Sequence, residues 1–537
     1  MYLSDEELHS ADCSPQLRAG NPERKMPDMR PLGLLGLLCT LVVISAVGVP
    51  AARAELTRLD ITSQRPFGSF RPGNYVLSEG KIYGELSPRE SIPGIDKAKR
   101  NARAMVEYSA RIVLITPEVP SRGNGTLLVD IPNRGNAYAQ ALYNSPRDEP
   151  FQSGTFEQGT GFLQDYGFSV AEVYWELGKG ADLPSFADGD GKARYVEGAG
   201  FAIVRDAADF LAHGTAGRNP LAGAVRHTLA SGKSQSGRFL KSFLANGFNV
   251  ANGRRVFDGM HIFVAGSGSL PIMQVGTGPE SSANGIPTFD KPEMRGVNEE
   301  PLTTADLIAR VTARGETPPK ILLVNSTTDY YGIRASLART GASGTTEQPV
   351  PPNVRVYDIA GAPHVVLRKA PATCTLPQGR LDWAPVSRAL LLKLDAWVAT
   401  NAAPPATKLM PLEPAGEEMA LRAPAHLPAA VLQLPKRDAD GNALGGVRLP
   451  ELAAPLGVHA GLNQPTSREC MLIGAYAPFP SLKIGQHYRN RDDYVNRIRL
   501  AARELMQEGF MLPDDAAVIV QAAASNPAFQ ASAAAAH

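Results

Sequence analysis

The chain has 537 residues, 43% of them hydrophobic and 20% charged, with a formal net charge of +1 at pH 7. That is enough apolar material for a large core, and it excludes a disordered chain. Balanced charge, no dense Lys/Arg block and only 7% aromatic residues leave no electrostatic or stacking footprint for nucleic acid.

Residues 32–49 form an uncharged apolar run that follows Arg30 and precedes Ala52-Arg53-Ala54. An apolar stretch ending in an A-x-A pattern is what a signal peptidase cuts after, so residues 1–54 are expected to be a signal peptide, with Met26 or Met29 as possible true starts. Eighteen residues is also the lower edge of a bilayer span, so an uncleaved anchor stays open as the alternative. Cleavage removes Cys13 and Cys39 and leaves Cys374 and Cys470 as one pair. In an exported, periplasmic or secreted chain that pair is expected to form a disulfide; two buried thiols are the other possibility.

Residues 55–120 hold short β-favouring pieces broken by Pro and Gly, such as 75–77 and 111–116. A strand is expected at 126–131, ending in the turn Pro132-Asn133-Arg134-Gly135. Another is expected at 168–174. Apolar residues at helical spacing predict a helix over 201–213, stopped by Gly214. Residues 227–231 form a short strand, Gly232 opens a sharp turn, and Phe239, Leu240, Phe243 and Leu244 mark a helix. Strands follow at 258–265, 320–325 and 354–359, then a helix at 386–398. Residues 266–318, rich in Gly, Pro, Ser and Thr, fall between two strands and are expected to be a lid or cap. Strands alternating with helices imply βαβ units and a mostly parallel sheet over 55–401. Beyond residue 401 the chain is Pro-rich and irregular until a helix at 492–508. Residues 402–537 are expected to be an extension packed on that core.

The chemistry concentrates in Gly232-Lys233-Ser234-Gln235-Ser236-Gly237. A nucleophilic Ser on a tight strand-to-helix turn needs small neighbours two before and two or three after it, and Gly232, Ser236 and Gly237 supply them. Ser236 as nucleophile would place bulky Arg238 two residues on, so Ser234 is the candidate. A hydroxyl needs a base, and the base needs an orienting acid; in α/β-hydrolases these follow the Ser in the order acid, His. His364 follows the strand 354–359 at its C-terminal end, where catalytic groups gather. Asp329 follows the strand 320–325 in the same way, although an Asp after a Thr-rich turn also suits a helix cap. Asp258 lies at the wrong end of its strand, Asp358 lies within one, and His261 reads as a core residue. For the oxyanion hole, the backbone N–H of Gln235 is expected to act with one from Arg134 or Gly135.

At these residues the chain resembles the large bacterial "α/β hydrolase domain" family of exported proteins. The likeness is carried by Gly232 to Leu240, by Gly247-Phe248-Asn249 and by Val256-Phe257-Asp258-Gly259. Asn325-Ser326-Thr327-Thr328-Asp329-Tyr330-Tyr331 is similar too, with Asp standing where the family usually has Glu. So are Ile359-Ala360-Gly361-Ala362-Pro363-His364 and Gly445-Gly446-Val447-Arg448-Leu449-Pro450. The resemblance implies the hydrolase fold and the triad and names no substrate.

Asp438-Ala439-Asp440-Gly441-Asn442 begins like a calcium loop but lacks the closing Glu, so it is expected to be a polar turn. Trp175-Glu176 is a candidate for the pocket wall or the core. Without zinc spacing, a P-loop or a dinucleotide fingerprint, no metal and no cofactor are expected. The expected reaction is carboxylic ester hydrolysis of a small molecule through an acyl-enzyme. Amidase or acyl transferase chemistry on the same triad, or a non-catalytic envelope binding protein on this scaffold, are the alternatives. Membrane contact is expected only if the N-terminal run is uncleaved.

Overall fold

The computed structural model describes residues 55–146, 154–276, 300–367, 369–416, 431–464 and 468–529. The expected signal peptide, residues 1–54, lies outside the described residues. All of the described residues fall within one compact unit, 52–537.

The main sheet is built from β1 (Glu55–Phe70), β2 (Gly73–Leu86), β3 (Val106–Pro117), β4 (Thr126–Asp130), β5 (Ser169–Val173), β6 (His227–Lys233), β7 (Gly259–Phe263), β8 (Lys320–Ser326) and β9 (Val354–Ile359). Their spatial order is β1-β2-β3-β5-β4-β6-β7-β8-β9, and a short strand, Ala181–Asp182, also pairs with β3. The first three strands and β5 pair antiparallel, while β5, β4, β6, β7, β8 and β9 run parallel. Parallel strands need both faces covered, and two apolar layers do so. One contains Leu128, Phe263, Tyr357 and Leu390; the other contains Val129, Ile262, Phe239 and Val356.

The N-terminal strands are longer and more continuous than the Pro and Gly residues of 55–120 suggest. Pro66 and Gly68 sit at a register shift in the β1–β2 ladder, where an irregularity tolerates both, and do not end the strand. Gly84 is required by packing: a Cβ there would lie 2.2 Å from the Tyr108 hydroxyl of the neighbouring strand.

Crossover helices are α1 (Ala199–His213), α2 (Gln235–Ala245) and α3 (Thr304–Ala313). Of the segment 266–318 expected to be a lid, residues 277–299 lie outside the described residues. Its later part is α3, which buries Leu307 and Val311 and joins β7 to β8 as a core crossover. Thr303 caps this helix by accepting from the Asp306 N–H at 3.1 Å, as an N-cap Thr does.

After α4 (Thr327–Gly332) and α5 (Ala384–Thr400), the chain returns to the open edge of the sheet. The N–H of Asp358 donates to the Lys408 carbonyl at 3.0 Å, and the N–H of Val447 donates to the Asp358 carbonyl at 2.7 Å. These bonds occupy the unpaired side of β9, which would otherwise be a template for another chain. Two helices end the described chain, α6 (Arg491–Glu508) and α7 (Pro513–Ala524). The second was not expected, although Pro513 at its first turn and the acidic Asp514 and Asp515 are start signals. Ile498 of α6 and Ile519 of α7 share one apolar cluster with Leu390 of α5.

Cys374 and Cys470 are joined in a disulfide with Cα atoms 5.5 Å apart. Around it, the N–H of Val365 donates to the Leu472 carbonyl at 3.1 Å, and that of Gly379 to the Ile473 carbonyl at 2.9 Å. The segment after His364 is therefore strapped to the extension.

Arg388 on α5 donates to Asp515 on α7 through Nε at 3.1 Å, and its Nη1 reaches the carbonyls of Tyr143 and Ser145, both at 3.2 Å. Removing the guanidinium leaves a mostly buried carboxylate without its counter-charge. Arg388→Met is expected to lower stability by about 3 kcal/mol, read from urea unfolding at neutral pH. A loss of only a few tenths would show that the bridge does not hold the terminal helices.

Candidate active site

Ser234 lies between β6 and α2 with φ 58° and ψ −113°, one of the few non-Gly residues at positive φ. Strain of this kind persists only where the surroundings enforce it. Here the Ser234 N–H donates to the Phe263 carbonyl of β7 at 2.9 Å, and the Arg238 N–H donates to the Ser234 carbonyl at 3.0 Å. The turn is too tight for side chains on its inner side. A Cβ on Gly232 would lie 2.5 Å from the Ser236 carbonyl oxygen, and one on Gly237 would lie 2.8 Å from that of Phe263. Ser236 itself is fully buried on the inner face, and its hydroxyl has no hydrogen-bond partner among the described residues.

His364 and Asp329 are buried beside Ser234. Asp329 Oδ1 lies 2.6 Å from His364 Nδ1, and His364 Nε2 lies 3.0 Å from Ser234 Oγ. A carboxylate at Nδ1 holds the proton there, so Nε2 is the acceptor facing the hydroxyl. The second carboxylate oxygen of Asp329 accepts from the Ser326 N–H at 2.6 Å. Asp329 thus caps α4 and orients His364 at once. Two further bonds register the loops: the Gly361 N–H donates to Thr327 Oγ1 at 2.7 Å, and the Thr328 N–H donates to the Ala362 carbonyl at 3.3 Å.

The other acids and histidines are placed elsewhere. Asp358 accepts from Tyr330, from Asn325 and from the Met410 N–H inside the core. Asp258 binds Arg255 and the Thr228 N–H at the opposite end of the sheet. His261 pairs with the Tyr143 hydroxyl at 3.1 Å, and burial pushes it down to about 3, so it is neutral. Asp438 Oδ1 accepts from the N–H groups of Asp440 and Asn442, the pattern of a polar turn.

One of the expected oxyanion donors is already engaged. The Arg134 N–H donates to Gln235 Oε1 at 3.0 Å. Gln235 opens α2, where the helix provides no acceptor for the first N–H groups, and Gly135 follows Arg134 at φ 77°. The loop is fastened to the elbow by Asn133 Nδ2, which donates to the Lys233 carbonyl at 2.8 Å. Trp175 is core: its Nε1 donates to the Pro132 carbonyl at 2.8 Å. Glu176 lies 3.4 Å from Gln235 Nε2, and burial raises its carboxyl, opposed by Arg134.

Sequence reasoning missed the buried cations. Lys233 lies over the rings of Tyr138 and Trp383, 4.9 and 5.0 Å from their centres, and burial lowers it to about 8 against the charges of Asp329 and Asp382. Arg238 is lowered to about 9, by burial first and then by the charges of Arg134 and Arg334. Lys241 donates to the carbonyls of Gly266 and Ser267, at 3.3 and 2.9 Å. Arg238 and Lys241 lie four and seven residues after Ser234, one face of a helix. That spacing was the available signal, but a Lys or Arg on a helix is ordinarily read as solvated.

The sequence pattern of the family described as "Alpha/beta hydrolase domain" matches residues 89–521. The chain belongs to this family. No curated protein matches it. Among solved structures, it is similar to a substrate-bound fluorophosphonate-binding serine hydrolase of Staphylococcus aureus, at 11% identity and a TM-score of 0.26 over 52% of this chain and 90% of that one. It is also similar to a putative acetyl xylan esterase of Bacteroides fragilis, at 12% identity and a TM-score of 0.26 over 56% of this chain and 69% of that one. A variant of a rice cell-wall-degrading esterase of Xanthomonas oryzae gives 12% identity and a TM-score of 0.26 over 57% and 90%.

In this alpha/beta hydrolase Lys241 offers a pH test. Burial, reinforced by Arg238, pushes it from the ordinary 10.5 down to about 7. Between those values the unfolded chain binds the proton and the folded chain does not, so this group makes stability rise with pH there. Lys241→Met is expected to flatten the rise in urea unfolding midpoints measured from about pH 7.5 to about 9.5. Equal slopes in both proteins would show that Lys241 is charged in the fold.

Proposed function

We propose that the chain is a serine hydrolase of carboxylic esters, with Ser234, His364 and Asp329 as its catalytic triad. The observation that carries this reading is the unbroken hydrogen-bonded line from the Asp329 carboxylate through His364 to the Ser234 hydroxyl. In the reaction Ser234 Oγ attacks the acyl carbonyl while His364 Nε2 takes its proton, and Asp329 stabilises the imidazolium that forms. The carbonyl oxygen becomes an oxyanion beside the start of α2, where the Gln235 N–H and the positive end of the helix favour negative charge. His364 returns the proton to the leaving alkoxide, giving the alcohol and an acyl-Ser234 ester. Water, deprotonated by His364 in its turn, releases the acid and restores the hydroxyl.

We further infer that the enzyme works outside a reducing compartment, as a periplasmic or secreted protein. The Cys374–Cys470 disulfide beside the histidine segment supports this, as does the apolar N-terminal run.

The test compares the purified protein with Ser234→Ala and Asp329→Asn on p-nitrophenyl esters of graded acyl length, after fluorophosphonate labelling. Ser234→Ala is expected to abolish labelling and lower kcat by roughly 10⁴-fold or more. Asp329→Asn is expected to lower kcat by about 10³- to 10⁴-fold while leaving the fold intact, because an amide no longer fixes the histidine tautomer. Equal labelling of the wild type and Ser234→Ala would assign the nucleophile to another residue.

A further inference from the structure

We propose that the site takes an ester whose acyl or alcohol part carries a carboxylate, and that Arg334 is the group that binds it. This deepens the serine-hydrolase reading and rests on it.

Arg334 follows α4, five residues after Asp329. It is 2% exposed, and its φ of 56° is a conformation that an Arg adopts only when held there. The holding bonds are visible. The N–H groups of Ile333 and Ala335, on either side of it, both donate to the Asp329 carbonyl at 3.1 Å. The carbonyl of Ile333 accepts from Ser267 at 3.4 Å, which ties the turn to the loop after β7. Arg334 is thereby fixed on the backbone of the triad acid.

Among the described residues, its Nε and Nη1 are buried without a hydrogen-bond partner. Burial lowers the group to about 10, with no carboxylate among the described residues acting against it. An unpaired buried guanidinium is costly, and the fold has other ways to end a six-residue helix than a strained Arg.

The surroundings sharpen the reading. The charges of Arg334 and Arg134 both act on Arg238. Arg238 is bonded through its N–H to the Ser234 carbonyl, and Arg134 through its N–H to the Gln235 side chain. Arg134 and Arg238 have partners of their own; the Nε and Nη1 atoms of Arg334 do not. Lys233 adds one more buried cation beside the elbow. Among the described residues the acids nearby are Asp329, committed to His364 and Ser326, Glu176, whose carboxyl burial raises toward the neutral form, and Asp382, which acts on Lys233. Among the described residues, Arg334 has two buried donors to give and no carboxylate acting on it. A substrate carboxylate would supply both the charge and the acceptors.

The experiment measures kcat/KM for two matched pairs. One is mono-p-nitrophenyl adipate against p-nitrophenyl hexanoate, with the charge in the acyl part. The other is 4-acetoxybenzoate against 4-acetoxybenzamide, with the charge in the alcohol part. The wild type is expected to favour the charged member of at least one pair by about tenfold or more, the size of a charge-assisted hydrogen bond. Arg334→Asn, which keeps a residue tolerant of positive φ, is expected to bring that ratio close to one, and Arg334→Lys to restore part of it. The inference is overturned if the wild type prefers the neutral member of both pairs, a result that needs no variant to fold. It is also overturned if Arg334→Asn lowers both members equally, as a purely structural residue would. Fluorophosphonate labelling separates the two levels. A labelled Ser234 that hydrolyses neutral esters without charge preference sinks this inference alone. A wild type that neither labels nor turns over any ester sinks the serine-hydrolase reading and this inference with it.

Discussion

The backbone at Ser234 is the constraint on which the site depends. A strand ends and a helix begins within one residue, at a positive φ that only dense local packing can hold. The missing side chains of Gly232 and Gly237 let the turn close against Ser236 and Phe263. The same turn aims the hydroxyl at His364 and points the start of α2 at the same place. It also commits the rest of α2. Once the helix starts at Gln235, Phe239 and Phe243 must face the core layer they share with Phe201 and Phe257. Arg238 and Lys241 are then carried into the interior with them.

The histidine side of the site depends on the C-terminal extension. His364 ends a loop that leaves the edge strand, and an edge strand alone gives little rigidity. Residues around Lys408 and Val447 pair with that edge. The disulfide and the bonds from Val365 and Gly379 then anchor the chain beyond the loop. Ile498, Ile519 and Leu390 share one apolar cluster, so the extension completes a core layer that the sheet cannot cover by itself. This couples the stability of the C-terminal extension to the position of a single imidazole.

Electrostatically the site is unusual in where its charges lie. Buried cations are tolerated when carbonyls, rings or acids take up their charge. Lys241 has two carbonyls and Lys233 two aromatic faces. Asp329 is engaged by His364 and by the Ser326 N–H. The start of α2 directly after Ser234 favours negative charge beside that residue.

Much of this was legible in the sequence because it follows from local rules. The elbow needs small residues at fixed offsets from Ser234, and those offsets are visible in one dimension. Strands 126–131, 320–325 and 354–359 announced themselves by apolar runs bounded by turn residues, and Asp329 and His364 could be chosen as the groups just past two of them. The continuity of the first two strands was hidden because Pro66 and Gly68 look like breaks until a partner strand absorbs them in an irregular ladder. The buried charged groups around the elbow were hidden for a stronger reason. Sequence assigns a charge to the chain but not to a dielectric environment, and whether Arg334 meets water, an acid or nothing depends on which segments fold over it. Local sequence thus determined the tight turn at Ser234, the placement of Asp329 and His364 just past two strands, and the parallel sheet that presents them. Only the tertiary structure decided that Asp329 reaches His364, that the Arg134 N–H is already engaged, and that Arg334 is buried with no acid acting on it among the described residues.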